Sequence, residues 1–235
     1  MDETVCTVIT SISMDHMEYL GPLLENIAAE KFAVVKKNVY ACFAGVDASL
    51  IQMFKDYCTQ RGARPCVLTE DVEIKNILIS PDGNHFDFFS KSLELKNIET
   101  NLIGNFQIYN AALSLLAISK INGLKNLFKN INEFSIRNGL KNAAWPARLE
   151  IISRRDKRVK KTLIILDGAH NFDGIKNLCE SVKTLWPDLN FAVVYAAMRD
   201  KNYLGCLALI SNELKPKFYP TTVPGMPRAL PPDEL

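Results

Sequence analysis

Asp167, Gly168, Ala169, His170 and Asn171 follow the apolar run Thr162 to Ile165 and precede a helical pattern with Ile175, Leu178, Val182 and Leu185 on one face. A strand thus ends in a glycine turn that sets an acid, an imidazole and a capping asparagine beside a helix N-terminus. That combination suits a nucleotide. A carboxylate can hold sugar hydroxyls, while helix N–H groups and an imidazole face phosphate. Read without a ligand, Asp167 is a turn residue, and His170 and Asn171 are turn and capping residues.

Two residues near the N-terminus also invite chemistry. Leu20, Leu23, Leu24, Ile27 and Ala28 form an apolar stripe at helical spacing, and Lys31 falls on that same face. A lysine turned toward a core is stripped of water, which favours the neutral amine. The plainer alternative is a lysine at a helix C-terminus whose stem lies on apolar surface while the ammonium reaches water. His16, after Asp15, follows the apolar run Val5 to Ile12, and α/β sheets place ligands beyond such strand ends. The alternative is a loop histidine making one hydrogen bond.

Strands alternating with helices must position these residues. Val5 to Ile12 and Val39 to Ala44 read as buried strands with an amphipathic helix between them, and Asp47 caps a helix that ends near Gly62. Val67 to Thr69 reads as a short strand. Val72 to Ser80 and His85 to Ser90 flank Pro81-Asp82-Gly83-Asn84, a hairpin signal that leaves His85 exposed in the turn. Gly104 to Ile118 and Ile131 to Leu140 read as helices. The polar stretch Arg137 to Ala144 is the expected hinge, dividing the chain into residues 1–144 and 145–235. Beyond it, β-α-β-α-β alternation predicts a small, mainly parallel sheet. The basic run Arg154 to Lys161 reads as a solvated hairpin between two strands.

Composition narrows the function classes. The 235 residues are 48% hydrophobic and 23% charged, an ordinary globular balance with room for one large or two modest domains. A formal charge of +2 gives no electrostatic reason to expect nucleic acid, and the one basic run is short and lacks interleaved aromatics. No apolar run approaches the ~20 residues that a membrane helix needs. Six cysteines, at 6, 42, 58, 66, 179 and 206, show no C-x-x-C spacing, which predicts buried free thiols and a reduced, cytoplasmic compartment. Small-molecule partners and a monomeric chain are the expectation.

The string Leu166-Asp167-Gly168-Ala169-His170-Asn171 resembles the C-terminal signature of folylpolyglutamate synthases and dihydrofolate synthases, ATP-dependent amide ligases related to the Mur ligases. Further matches run in family order. Ile9 to Gly21, continuing to Lys36, resembles the central-domain segment in which a DH pair precedes a helix ending in Glu-Lys. Gly104 to Leu113 is similar to the Gly-x-His-Gln-x-x-Asn-Ala element, and Trp145 to Ile152 resembles the Pro-Gly-Arg-Leu-Glu linker. Val193 to Tyr203 and Thr221 to Leu230 look like later strands of the same domain. The family's G-x-x-G-K-[ST] phosphate loop has no counterpart, since neither Gly-Lys-Ser nor Gly-Lys-Thr occurs. The chain is therefore expected to be an internal stretch of a longer ligase, cut at both ends.

The resemblance implies an α/β fold: a partial Mur-ligase-type central domain followed by a Rossmann-like C-terminal domain. It implies ATP and magnesium as cofactors, with L-glutamate joined to a pteroate or folate through an acyl phosphate. Lys31 matches the lysine that takes up carbon dioxide as a carbamate and helps hold magnesium, an oxygen-seeking ion, and His16 matches a second magnesium ligand. Asn110 matches an asparagine near the adenine, Arg148 the interdomain arginine that reaches the phosphates, and Asp167 the ribose-binding acid. The resemblance also implies that His170 would face the nucleotide and the reacting phosphate. Taken alone, Asn110 is a helix polar face and Arg148 a surface charge. Departures are Phe106 for the usual His, Ala33 for Gly and Phe172 for Pro. Other readings are a Mur-type ligase, disfavoured because Mur ligases usually carry Tyr at Gly168, and a catalytically silent, nucleotide-binding remnant.

Overall fold

The computed structural model describes residues 4–14, 23–121, 131–154 and 162–235, so His16 lies outside the described residues. Two units divide the chain, Met1–Ala144 and Trp145–Leu235. Among the described residues no helix is long and apolar enough to cross a membrane.

The first unit opens with a parallel sheet of β1 (Cys6–Ile9), β2 (Tyr40–Phe43) and β3 (Arg64–Val67), in that order. Alternation along β2 sends Ala41 and Phe43 to one face and Cys42 to the other. On the first face sit α1 (Leu24–Phe32) and α2 (Ala48–Gln60). Their Phe32 and Phe54 close on Phe43 with ring centroids 5.2 and 5.1 Å away. As the sequence predicts, Asp47 caps α2, accepting from the Ser49 and Leu50 backbone N–H groups at 2.8 and 3.0 Å. After β3 the chain makes one helical turn, α3 (Leu68–Asp71), so the strand expected at Val67 to Thr69 lies three residues earlier. Asp71 fixes that turn by accepting from the Val67 N–H at 2.8 Å.

The other face of the parallel sheet is covered by α4 (Asn105–Ile121). This helix buries Ile108, Ala111, Ala112, Leu113, Leu115, Leu116 and Ala117, a spread too wide for one stripe. It needs cover on more than one side. A three-stranded antiparallel sheet supplies it, with β4 (Val72–Ser80), β5 (Gly83–Ser90) and β6 (Glu94–Thr100), contributing Phe86, Phe88, Leu95 and Ile98 to the same core. Strands β4 and β5 form the predicted hairpin. Gly83 at its turn has φ 131°, and a Cβ there would stand 2.5 Å from the Thr100 carbonyl oxygen, so only glycine fits. His85 is in β5 rather than the turn, half-buried and paired with Leu78 and Glu99. The turn closes early, at Ser80 and Gly83, and draws His85 into the ladder.

Helix α5 (Glu133–Lys141) begins at an Asn132–Ser135 capping box and docks on β6 through Arg137, which donates to the Lys96 and Asn97 carbonyls at 2.8 and 3.0 Å. Much of the expected hinge is therefore helix, and only 142–144 lie beyond it in this unit.

The second unit pairs β7 (Glu150–Arg154) with β8 (Thr162–Leu166) antiparallel, and β9 (Ala192–Tyr195) with β10 (Lys217–Pro220) parallel. Sequence alternation predicted a mainly parallel sheet. The parallel pairing is that of β9 and β10, and the antiparallel β7 and β8 flank the basic run that the sequence reading places between two strands. Helices α6 (Phe172–Leu185) and α7 (Tyr203–Leu214) bring Ile175, Cys179, Cys206 and Ile210 into a core with Tyr195 and Leu230. All six cysteines are free, five of them buried, and burial pushes the Cys58 and Cys179 thiols up to about 11.

One carboxylate holds the antiparallel sheet in shape. Both ladders shift register, between Lys75 and Leu78 and between Phe86 and Phe88, and Asn76 and Asn97 adopt φ of 50° and 52° there. Buried Asp87 accepts from the Asn97 N–H and from the Asn76 side chain, each at 2.7 Å. Those bonds hold its carboxyl below the usual carboxylate range. The folded state thus binds this proton less well than the unfolded chain. Its stabilisation is complete above the unfolded pKa of about 3.9 and is lost as pH falls through the lower folded value. Urea unfolding of Asp87→Asn should show lower stability at neutral pH and a shallower loss below about pH 4 than the parent.

Candidate nucleotide site

The nucleotide-like motif of the second unit is built from three neighbouring pieces of chain: the linker before β7, the turn after β8, and the start of α6. Asp167 joins them. One carboxylate oxygen accepts from the Leu149 N–H at 2.8 Å, and the other accepts from the Ala169 N–H at 2.8 Å. The Gly168 N–H donates to the Ala147 carbonyl, also at 2.8 Å. The acid beside the turn is therefore first a fastener for the linker.

The linker itself is strained. Ala147 has φ 53° and Leu149 φ 48°, left-handed values that neither residue type favours, costing roughly 1–2 kcal/mol apiece. Three contacts hold them: the Asp167 bond, the Glu150 carboxylate accepting from the Ala147 N–H at 2.9 Å, and the Leu149 side chain, which is only 1% exposed. Arg148 stands exposed between the two strained residues. Its guanidinium lies over the turn, with Nη1 3.8 Å from where a Cβ on Gly168 would be. A bulkier residue at 168 would contest that place.

His170 is exposed, and its Nδ1 is 2.9 Å from the Gly168 carbonyl. A carbonyl only accepts, so Nδ1 carries the proton of this bond. Asn171 caps α6 by accepting from the Gly174 N–H at 2.8 Å. Arg148, Asp167 and His170 are thus brought together by short backbone links. A cation, a helix N-terminus and an imidazole share one turn, a surface that suits an anionic ligand.

The remaining predicted residues belong to the first unit. Asn110 is exposed on α4 and donates to the Gln107 side chain at 3.0 Å. Lys31 corrects an expectation, since it is exposed in the last turn of α1 rather than desolvated in the core. By helical angle it shares the face of Ile27 and Ala28. Phe32 and Val35 fill the core at that end, so the long side chain leaves toward water, where terminal carbonyls favour a cation. Among the described residues no group of three or more His, Cys, Asp or Glu could hold a metal ion. With His16 outside those residues and Lys31 in water, no metal cage assembles in them.

The sequence pointed to Arg148 and Asp167 but not to Ala147, Leu149 or Glu150. Nothing in alanine or leucine announces a left-handed backbone. The one usable signal was the Pro-Gly-Arg-Leu-Glu likeness, whose glycine stands where Ala147 does. Asp167→Ala removes one acceptor from two backbone amides and should lower the stability of this unit by about 1–3 kcal/mol. Urea unfolding followed by the fluorescence of Trp145 and Trp186, both in this unit, measures it.

Comparison with known proteins concerns the chain's ancestry and fold. Residues 4–118 match the family model of the Mur ligase middle domain. The dihydrofolate synthase/folylpolyglutamate synthase of Bacillus subtilis is 35% identical over 201 residues, covering 86% of this chain and 45% of the relative. The folylpolyglutamate synthase of Lacticaseibacillus casei is 29% identical, over 97% of this chain and 51% of the relative. The chain therefore spans about half the length of these curated relatives. A solved FPGS–AMPPCP–folate complex superposes with a TM-score of 0.82 at 24% identity, over 94% of this chain and 52% of the other, and shows the shared fold. By sequence the chain is thus a homologue of the folylpolyglutamate and dihydrofolate synthases, with the Mur ligase middle domain matched in residues 4–118.

Proposed function

We propose that this chain contributes the nucleotide-handling part of an ATP-dependent ligase that joins L-glutamate to dihydropteroate or folate. The observation that carries the reading is the presentation of Arg148 over the Gly168 turn, beside His170 and the α6 N-terminus. In that reaction ATP phosphorylates the acceptor's carboxylate, and the glutamate amine displaces phosphate from the acyl phosphate through a tetrahedral intermediate. The chain's own residues bind and orient. Arg148 offsets phosphate charge, and His170 stands exposed on the same turn. Asp167 offers its remaining lone pairs to ribose hydroxyls, since a carboxylate accepting two N–H bonds still has capacity. Asn110 is assigned to the adenine. Magnesium, when bound, would neutralise phosphate charge; His16 and exposed Lys31, as a carbamate, are the residues proposed from the family likeness to hold it, since the described residues alone form no metal cage. The related FPGS solved with AMPPCP and folate supports both ligand classes.

A second reading, a nucleotide-binding module without turnover, is favoured by one sequence fact. No Gly-Lys-Ser or Gly-Lys-Thr occurs in these 235 residues to cradle the transferred phosphate. Even one preorganised donor is worth roughly 3 kcal/mol in a transition state. The purified chain should therefore bind ADP in a titration calorimeter yet release no phosphate in response to glutamate and a pteroate. Glutamate-dependent phosphate release would establish turnover by the chain alone. No detectable ADP binding would remove the nucleotide assignment.

A further inference from the structure

Arg148 is exposed, yet the backbone on either side of it is among the most constrained in its unit. Ala147 and Leu149 both sit at positive φ, and each amide is taken by a different carboxylate, Glu150 on one side and Asp167 on the other. Leu149 has a second anchor in its buried side chain, whereas Ala147 is only half-buried. Ala147 also lends its carbonyl to the Gly168 N–H, so any flip of its peptide would pull the linker off the turn.

We propose that Glu150 is a positioning residue for Arg148. Its carboxylate holds Ala147 left-handed and thereby keeps the guanidinium over Gly168. The expectation for phosphate rests on the nucleotide reading given above, but the conformational claim does not. Residue 147 tests the mechanism directly. Glycine adopts positive φ without the Cβ penalty, so Ala147→Gly should make the Glu150 bond dispensable.

The experiment compares the whole chain with Glu150→Ala, Glu150→Ala/Ala147→Gly and Arg148→Ala. Backbone chemical shifts report φ at residues 147 and 149, and calorimetry reports ADP affinity. Glu150→Ala should lose the left-handed signature at Ala147, keep the shifts of the β9–β10 region, and weaken ADP about tenfold, near 1.4 kcal/mol. Adding Ala147→Gly should restore the signature and most of the affinity. The proposal is overturned if Glu150→Ala keeps Ala147 left-handed, or if glycine at 147 restores nothing. Should Arg148→Ala bind ADP as the parent does, the nucleotide reading of Arg148 fails, and the shifts at residue 147 alone decide the role of Glu150.

Discussion

The burial of α4 is the constraint that organises the first unit. A helix whose apolar residues spread over so much of its circumference cannot rest on one sheet with its back to water. The parallel sheet supplies Cys42 and Cys66 beneath it, and the antiparallel sheet supplies Phe86, Phe88 and Ile98. Each sheet in turn depends on the helix. Three short parallel strands need cover on both faces, and the antiparallel sheet needs something to bury its aromatic side. The exposed strip that remains on α4 carries Tyr109 and Asn110, so the same packing decides which polar group the helix can offer to a ligand.

The second unit solves a different problem with carboxylates. Its site-forming turn and linker lie outside regular ladders, where backbone amides would otherwise have no partner. Asp167 and Glu150 take those amides, and the left-handed residues of the linker persist because their surroundings over-determine them. This gives the aspartate of the motif a double character. It is a structural acceptor first, and what it offers a ribose is the capacity left over.

Much of this was legible in the sequence where one local rule dominated. Asp47 as a cap, the Pro81–Gly83 turn and the strand–turn–helix ending in Asn171 all follow from the preferences of single residues. The family likeness likewise depends on short strings that local chemistry keeps together. Failures occurred where tertiary context decided. Strand β6 was missed because Glu94, Lys96, Asn97, Glu99 and Thr100 dilute its apolar positions, and Asn97 breaks its alternation. Lys31 has the right helical angle for the core, but it falls at the end of a short helix where Phe32 and Val35 already occupy the space. The Ala147–Leu149 geometry is invisible because its restraints come partly from Asp167, eighteen residues away.

The asparagine pair pinned by Asp87 has a consequence for the molecule in a crowded solution. Strand β4 lies at the border of its sheet, and nine residues of extended chain there form a template on which another chain could add a strand. Left-handed Asn76 interrupts that template near its middle, and charged Glu73 and Lys75 lie just before the break. No incoming strand can stay in register along the whole border. The same carboxylate that shapes the interior thus also guards the protein against edge-to-edge aggregation.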